Sequence, residues 1–314
     1  MSGILALYGH GDDTQARRLL NGIRHRGPDG HGLLRLGPAC LGHARLATLD
    51  LSGGAQPLRN EQGDLALALS GSIYNHASLR RELEAHHRFA SRSDAEVALH
   101  LYESCGEAML NRIDGPFALA LASARGVLLA RDPMGIQPLY FGRRGDTWFA
   151  ASELKAFPPL DTLEMLPAGH AVRLGGKPWR YAPPFPPAPF LNDPDPAEMR
   201  QEIRRRLGRA VEKRLMGDAP VGVYLSGGLD SSVVAGLMRP HVVTLHSFTA
   251  GLAGAPDLAA ARQVADWLGT DHHEFVYTEA ELLRILPDVI ARLESFDAPL
   301  VRSAAPMFMA ARLA

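Results

Sequence analysis

Two cysteines among 314 residues leave no disulfide framework to staple the fold. Cys40 lies in a strand-like stretch and Cys105 near a helix end, so both read as packing residues. Charge imbalance is missing too. With 33 Lys and Arg against 34 Asp and Glu, the net charge of -1 gives no electrostatic reason to expect nucleic acid or an anionic membrane as partner. No apolar run approaches the ~18 residues of a membrane-spanning helix. The first, of about six residues, is short and soon meets His10, Asp12 and Asp13, so it reads as no signal peptide. Ligand spacing is lacking as well. His25, His43, His76 and the adjacent His272 and His273 are scattered, and no direct protein metal cluster is expected from them. What remains is an ordinary composition, 46% hydrophobic and 21% charged, that suits a cytoplasmic chain of two domains.

Residues 1–177 form the first expected domain. Strand-like runs at 4–9, 32–36, 40–46, 65–70, 117–122, 127–131, 139–142, 148–151 and 170–174 are punctuated by Gly, Pro and Asp turns. Two helices interrupt them, one near 78–88 and one opened by Ser93-Asp94-Ala95-Glu96 and stopped at Gly106. Many strands with few helices predict an α+β layered sandwich. A proline-dense stretch, 178–196, then reads as a stiff linker. The second expected domain, 197–314, opens with a helix that Asp195 caps, Pro196 starts and Gly217 follows. Its stripe Met199, Ile203, Leu207, Val211 and Leu215 predicts one buried face, with Arg204, Arg205 and Arg206 solvated beside it. Strands at 221–225, 242–249 and 274–277 alternate with helices from 231, 258 and 279, the pattern of a parallel sheet with crossover helices. Pro287 predicts a kink or break in the last of these.

The strongest motif is VGVYLSGGLDSSVVAGL, residues 221–237. A buried-type strand ends at Leu225, a glycine pair turns the backbone, and a helix begins within a few residues. Backbone N–H groups and the helix N-terminus converge there on an anion. Ser226, Ser231 and Ser232 add hydroxyls, and Asp230 implies a bridging Mg²⁺ or a donor network. No Gly-Lys-Ser/Thr follows, so this is not a Walker loop.

SGGLDSS resembles the pyrophosphate loop of ATP pyrophosphatases. The flanking LHSFTAGLAGAPDLAAARQVADWLGTDHHEF and ESFDAPLVRSAAPMF resemble the synthetase domain of glutamine-dependent asparagine synthetases. RHRGPDG, GHARLATLD, GAQPL, IYNHASLRREL, SDAEV, IDGPFALAL, ARDPMGIQPLYFG and ASELKAF resemble that family's amino-terminal, class II glutaminase domain. The resemblance is collinear over nearly the whole chain. It implies a two-domain protein, an N-terminal-nucleophile-type α+β sandwich followed by an α/β parallel-sheet ATP-pyrophosphatase domain similar to the adenine nucleotide hydrolases.

The family adenylates a carboxylate with ATP and Mg²⁺, and ammonia then displaces AMP. On this chain the ATP-binding positions that match are Ser226, Gly227, Gly228, Asp230, Ser231 and Ser232, with the backbone of Tyr224 and Ala250 against the adenosine. Arg302 matches a residue that holds the acyl substrate's carboxylate. In the glutaminase half, removal of Met1 exposes residue 2 as nucleophile. Arg45 matches the carboxylate clamp, Asp94 an amine-binding acid and Gly71 the backbone donor of the oxyanion hole.

The departures have a direction. Ser2 stands where the family has a nucleophilic Cys. Ser70-Gly71-Ser72 stands where it reads Asn-Gly-Glu, so a side-chain oxyanion donor and a second amine-binding acid are gone. One lost oxyanion donor costs roughly 10²–10³ in rate, and a serine hydroxyl is far less ionised than a thiol. The expectation is a glutaminase fold whose glutamine hydrolysis is lost, joined to an amide-forming ligase supplied with free ammonia or an amine. Pro299-Leu300-Val301 and Ala304-Ala305 replace hydroxyl residues of the family near Arg302, which leaves the acyl substrate open between aspartate and an analogue. The family continues beyond Ala314, so a truncated chain is expected, with a homodimer or a partner chain supplying the rest. Two alternatives stand beside the ligase: a non-catalytic nucleotide-binding paralogue, and a serine N-terminal-nucleophile amidohydrolase.

Overall fold

The computed structural model describes residues 1–183 and 195–314. The chain divides into two compact units, Met1–Pro189 and Phe190–Ala314. Most of the expected linker, residues 184–194, lies outside the described residues. At its start the linker reading needs correction, because Trp179–Arg180 pairs as a short strand, whereas Pro196 opens a helix with Asp195 as its cap, as expected.

The first unit runs β1 (Gly3–Tyr8), α1 (Asp13–Ile23), β2 (Gly30–Leu36), β3 (Ala39–Arg45), β4 (Leu58–Arg59), β5 (Ala66–Gly71), α2 (His76–Leu83) and α3 (Asp94–Cys105). It continues with β6 (Phe117–Ser123), β7 (Gly126–Arg131), β8 (Tyr140–Arg144), β9 (Thr147–Ala151), β10 (Thr162–Met165), β11 (His170–Arg173) and β12 (Trp179–Arg180). One six-stranded sheet has the order β10-β8-β9-β1-β3-β2 and the other β12-β11-β7-β6-β5-β4. The alternation along the central strands explains the layering. In β5 and β6 the alanines Ala66, Ala68, Ala118, Ala120 and Ala122 join Ile4, Ala6 and Leu41 in a core between the sheets. Their alternate leucines, Leu67, Leu69, Leu119 and Leu121, face the other way, onto α2 and α3. With both faces covered, these strands read as continuous apolar runs although their pairing is antiparallel.

On the opposite outer face α1 packs Ala16, Leu19, Leu20 and Ile23 against Leu5, Leu7 and Phe149. This third helix is absent from the expectation of two. Its start is a capping box, with Asp12 Oδ1 accepting from the Gln15 N–H at 2.7 Å and Gln15 Oε1 accepting from the Asp12 N–H at 3.2 Å. Gly22 lets it lie against the chain, since a Cβ there would meet Ala156 Cα at 2.8 Å. Cys40 is buried in this core, and Cys105 packs on the other helical layer.

The second unit runs α4 (Pro196–Glu212), β13 (Gly222–Tyr224), α5 (Leu229–Met238), β14 (His246–Leu252), α6 (Pro256–Leu268), β15 (Asp271–Tyr277), α7 (Glu279–Leu293) and α8 (Ala298–Leu313). β13, β14 and β15 form a parallel sheet in that order, with α5 and α6 as crossovers. Val223, Leu225, Ala235, Met238, Ala261 and Ala265 make one core, and Tyr277, Ile285, Val289, Ala305 and Met309 another with α7 and α8. Two expectations change here. The α4 stripe is not uniformly buried: Val211 is, but Met199, Ile203 and Leu207 are 41%, 53% and 40% exposed, the last two along an open groove shared with α5 and Trp267. Pro287 does not interrupt α7, because its missing N–H removes one bond while buried Ile285 and Val289 hold both flanks. No helix among the described residues is long and apolar enough to cross a membrane.

Candidate functional sites

In the first unit the strand ends gather most of the residues singled out above. Ser2 lies just before β1, and its Oγ accepts from the Leu46 N–H at 3.1 Å, one residue past Arg45. Its carbonyl accepts from Ser70 Oγ at 2.7 Å and from Arg26 Nε at 3.0 Å. Gly71 follows with φ +128°, and a Cβ there would stand 2.0 Å from the Pro116 carbonyl oxygen, so only glycine fits. The Ser72 N–H donates to that same oxygen at 2.9 Å. At the next residue, the Ile73 N–H donates to Asp94 Oδ2 at 2.7 Å. The segment 70–73 thus runs from Ser2 to the start of α3. Ser93 caps that helix, its Oγ accepting from the Ala95 N–H. Burial pushes the Asp94 carboxyl up, against the opposing Ile73 N–H and His76.

Arg45 is placed differently from a free clamp. Its Nη2 donates to the Asp50 carbonyl at 2.6 Å and its Nη1 to that of Leu51 at 3.0 Å, so the guanidinium is held by the loop after β3. Asp50 fixes that loop, its carboxylate accepting from the Gly53 and Arg92 N–H groups at 3.1 and 2.8 Å.

A charge group around buried Glu153, beside Ser2, falls in two of the motifs quoted above, where it was given no role. Arg26 Nη1 lies 2.9 Å from Glu153, and Lys155 and His25 reach the same carboxylate at 2.7 and 3.0 Å. Burial by itself would raise Glu153, but Lys155 and Arg26 hold it below the usual carboxylate range. Burial and then Arg26 also push the Met1 α-amine down. The signal was present in RHRGPDG and ASELKAF, whose charges are one ion group in space.

In the second unit the loop after β13 is cross-tied by its own serines. Ser226 Oγ and Ser231 Oγ are 2.9 Å apart, and the Ser226 N–H donates to Ser231 Oγ at 3.2 Å. Ser232 Oγ donates to the Gly228 carbonyl at 2.7 Å. Gly227 has φ +74°, and a Cβ there would meet Ala260 C and Ala261 N of α6 at 2.5 Å. Gly228 is the N-cap of α5, with no side chain capping that end, and Asp230 stands exposed in the first turn. The loop follows the carboxyl end of β13, where open parallel sheets bind ligands. Tyr224 and Ala250 lie on β13 and β14, in register with Phe248 and Phe275. Tyr224 lines a cavity of ≈ 400 Å³ with His246 and Phe248 that contains none of the loop serines. Arg302 is exposed on α8 and is not among the loop's hydrogen-bond partners.

Folding also brings together histidines that sequence spacing kept apart. His273 joins His246 and Asp271, and a second grouping collects Glu61, His87, His100 and Glu103. Neither grouping is marked by local spacing as a whole; pairing across strands and packing between helix and loop supply the proximity.

A layered sandwich of two antiparallel sheets, followed by a parallel α/β unit with a serine–glycine loop, is the architecture of an amidotransferase-type domain joined to an α/β domain. The comparisons agree. The family described as glutamine amidotransferase domain matches residues 1–173, and that described as asparagine synthase matches residues 202–314. The chain belongs to the glutamine-dependent asparagine synthetase family. It is 41% identical over 339 residues to asparagine synthetase [glutamine-hydrolyzing] 2 of Lotus japonicus, covering 99% of this chain and 56% of that protein. Asparagine synthetase [glutamine-hydrolyzing] 1 of Arabidopsis thaliana is 41% identical over 337 residues, with the same coverage. The chain thus spans little more than half the length of these relatives. Among solved structures, glutamine phosphoribosylpyrophosphate amidotransferase from B. subtilis, complexed with ADP and GMP, aligns at a TM-score of 0.50 and 20% identity, over 90% of this chain and 70% of that one. An allosteric regulatory enzyme of purine biosynthesis aligns at 0.52 and 18%, over 90% and 91%. At such identities the likeness is one of fold.

Proposed function

We propose that this chain belongs to a cytoplasmic, AMP-forming amide ligase that activates a carboxylate with ATP and receives ammonia or an amine, its glutaminase half no longer hydrolysing glutamine. The loop at 226–232 carries the reading. The N-terminus of α5 has no side-chain cap, Gly227 allows close backbone approach, and three hydroxyls surround the turn. That donor set fits a pyrophosphate group. Bound there, ATP supplies the pyrophosphate leaving group. In the proposal Ser226, Ser231 and Ser232 hold its phosphates, Asp230 meets a phosphate-bound Mg²⁺, and the backbone at Tyr224 and Ala250 borders the adenosine. The uncapped α5 N–H groups stabilise the negative charge that grows on the leaving group. Arg302 is proposed to orient the acyl carboxylate, aspartate or an analogue.

The glutaminase reading rests on Ser2, Ser70 and Ser72 together. The Ser70 hydroxyl is engaged by the Ser2 carbonyl and stands 3.1 Å from Gln137 Oε1. It is short where an asparagine amide would be needed to reach an oxyanion. The relatives named above are described as glutamine-hydrolyzing; in this proposal Ser2, Ser70 and Ser72 take this chain away from that reaction.

Exchange of labelled pyrophosphate into ATP, measured across a carboxylate panel, tests the ligase reading. Exchange that depends on one carboxylate and is lost in Ser232→Ala supports it. Calorimetric Mg·ATP binding without exchange supports the non-catalytic paralogue. Intact-mass labelling of Ser2 by a glutamine-like electrophile would instead establish the serine amidohydrolase.

A further inference from the structure

Away from both candidate sites, four side chains from three segments meet beside α3. His100 and Glu103 share one face of that helix, His87 lies on the turn after α2, and Glu61 on the loop between β4 and β5. One ligand atom from each lies within 4.8 Å of all the others. His100 Nδ1 and His87 Nδ1 stand 2.7 and 3.5 Å from the same Glu103 Oε2. Those separations bracket the ~3.3 Å between ligands around a tetrahedral Zn²⁺.

The surroundings orient each group from outside. His87 Nε2 is 2.9 Å from Ser104 Oγ. Asn60 Nδ2 donates to Glu103 Oε1 at 2.8 Å, leaving Oε2 toward the imidazoles, and the Arg88 N–H donates to Glu61 Oε1 at 2.7 Å. His100 supplies an independent observation. It is 1% exposed, and its Nε2 has no hydrogen-bond partner while facing Glu96 Oε1 at 3.6 Å. In the neutral ring, a proton on Nδ1 shared with Glu103 leaves the Nε2 lone pair aimed at a carboxylate. A metal ion on Nδ1 puts the imidazole proton on Nε2 instead, where Glu96 receives it. That is the carboxylate–histidine–metal arrangement of protein metal sites.

We propose that Glu61, His87, His100 and Glu103 form a binding site for a divalent transition metal, Zn²⁺ or Co²⁺ in class. Two imidazoles favour such ions over Mg²⁺ and Ca²⁺, and two carboxylates balance the divalent charge. The ion pins the β4–β5 loop and the turn after α2 onto α3. It serves as a structural clasp of the first unit.

The test uses the whole chain, stripped with chelator and titrated with Co²⁺ alone, followed by visible absorption and calorimetry. The expected result is saturable, equimolar binding with a tetrahedral ligand-field spectrum that Zn²⁺ displaces. His87→Ala and Glu103→Gln are expected to abolish the spectrum and weaken affinity by more than ~10-fold, with circular dichroism unchanged. The His246→Asn, His273→Asn double variant keeps both. Should Glu103→Gln fail to fold, His87→Ala decides. Absence of saturable binding, or a spectrum that survives His87→Ala and disappears in the His246/His273 double variant, would overturn the assignment.

Discussion

Acidification should loosen the first unit through one imidazole. His43 lies on β3, 1% exposed, and its Nε2 donates to the Leu69 carbonyl of β5 at 3.1 Å, joining the two sheets two residues from Arg45. Its Nδ1 is buried without a partner. Burial lowers its pKa from 6.5 to about 4, against the Leu69 carbonyl, which favours the protonated ring. The unfolded chain therefore takes up this proton near pH 6.5, whereas the folded unit refuses it until about pH 4. A group whose folded pKa is depressed contributes its stability in full above the unfolded value, and loses it as pH falls through the folded one. At 1.36 kcal/mol per pH unit the window is worth about 3 kcal/mol. His43→Gln keeps an amide donor for Leu69 and removes the titration. Urea unfolding read by hydrogen exchange at β3 and β5 follows this unit separately from the other. Between about pH 6.5 and pH 4, wild-type stability should fall faster than the variant's by about 1.4 kcal/mol per pH unit. Parallel profiles for the two proteins would refute the reasoning.

Gly227→Ala places a Cβ 2.5 Å from the α6 backbone at a positive φ. It should cost about 1–3 kcal/mol in the second unit and abolish Mg·ATP binding by calorimetry; undiminished binding would remove the loop from the nucleotide site. Glu153→Gln leaves Arg26, Lys155 and His25 clustered around an uncharged amide in a largely buried place. The first unit's melting midpoint should drop, by up to about 3 kcal/mol in stability, and an unchanged midpoint would mean that the four groups do not act together.

Much of this architecture was legible because both units write their layering into residue size. Ala-Leu alternation in β5 and β6 marks two buried faces, a close one between sheets and a wide one under helices. Ser93 and Asp195 announced α3 and α4 as caps, and Leu225-Ser226-Gly227-Gly228 announced a strand running into a turn. What stayed hidden has physical causes. α1 hid because Arg17, Arg18 and Gly22 dilute its apolar stripe, and the capping box at Asp12 and Gln15 was the signal available. β10 hid because all four of its residues are exposed, so no burial alternation marks it. Each histidine grouping is assembled by tertiary contact between segments, a distance no local spacing encodes.

The residue-2 site lies between these cases. Resemblance alone treats Ser2, Ser70 and Ser72 as three substitutions, whereas geometry couples two of them, since the Ser70 hydroxyl is bonded to the Ser2 carbonyl. Restoring cysteine at position 2 would therefore place a thiol beside a hydroxyl already committed to the backbone, with no side-chain amide for the oxyanion. Ser2→Cys by itself is expected to leave glutamine hydrolysis at background. A gain should require Ser70→Asn and Ser72→Glu in the same chain, read as ammonia released from glutamine. Substantial hydrolysis in the single Ser2→Cys variant would show that the thiol was the only missing part, and that Ser70 and Ser72 do not limit the reaction.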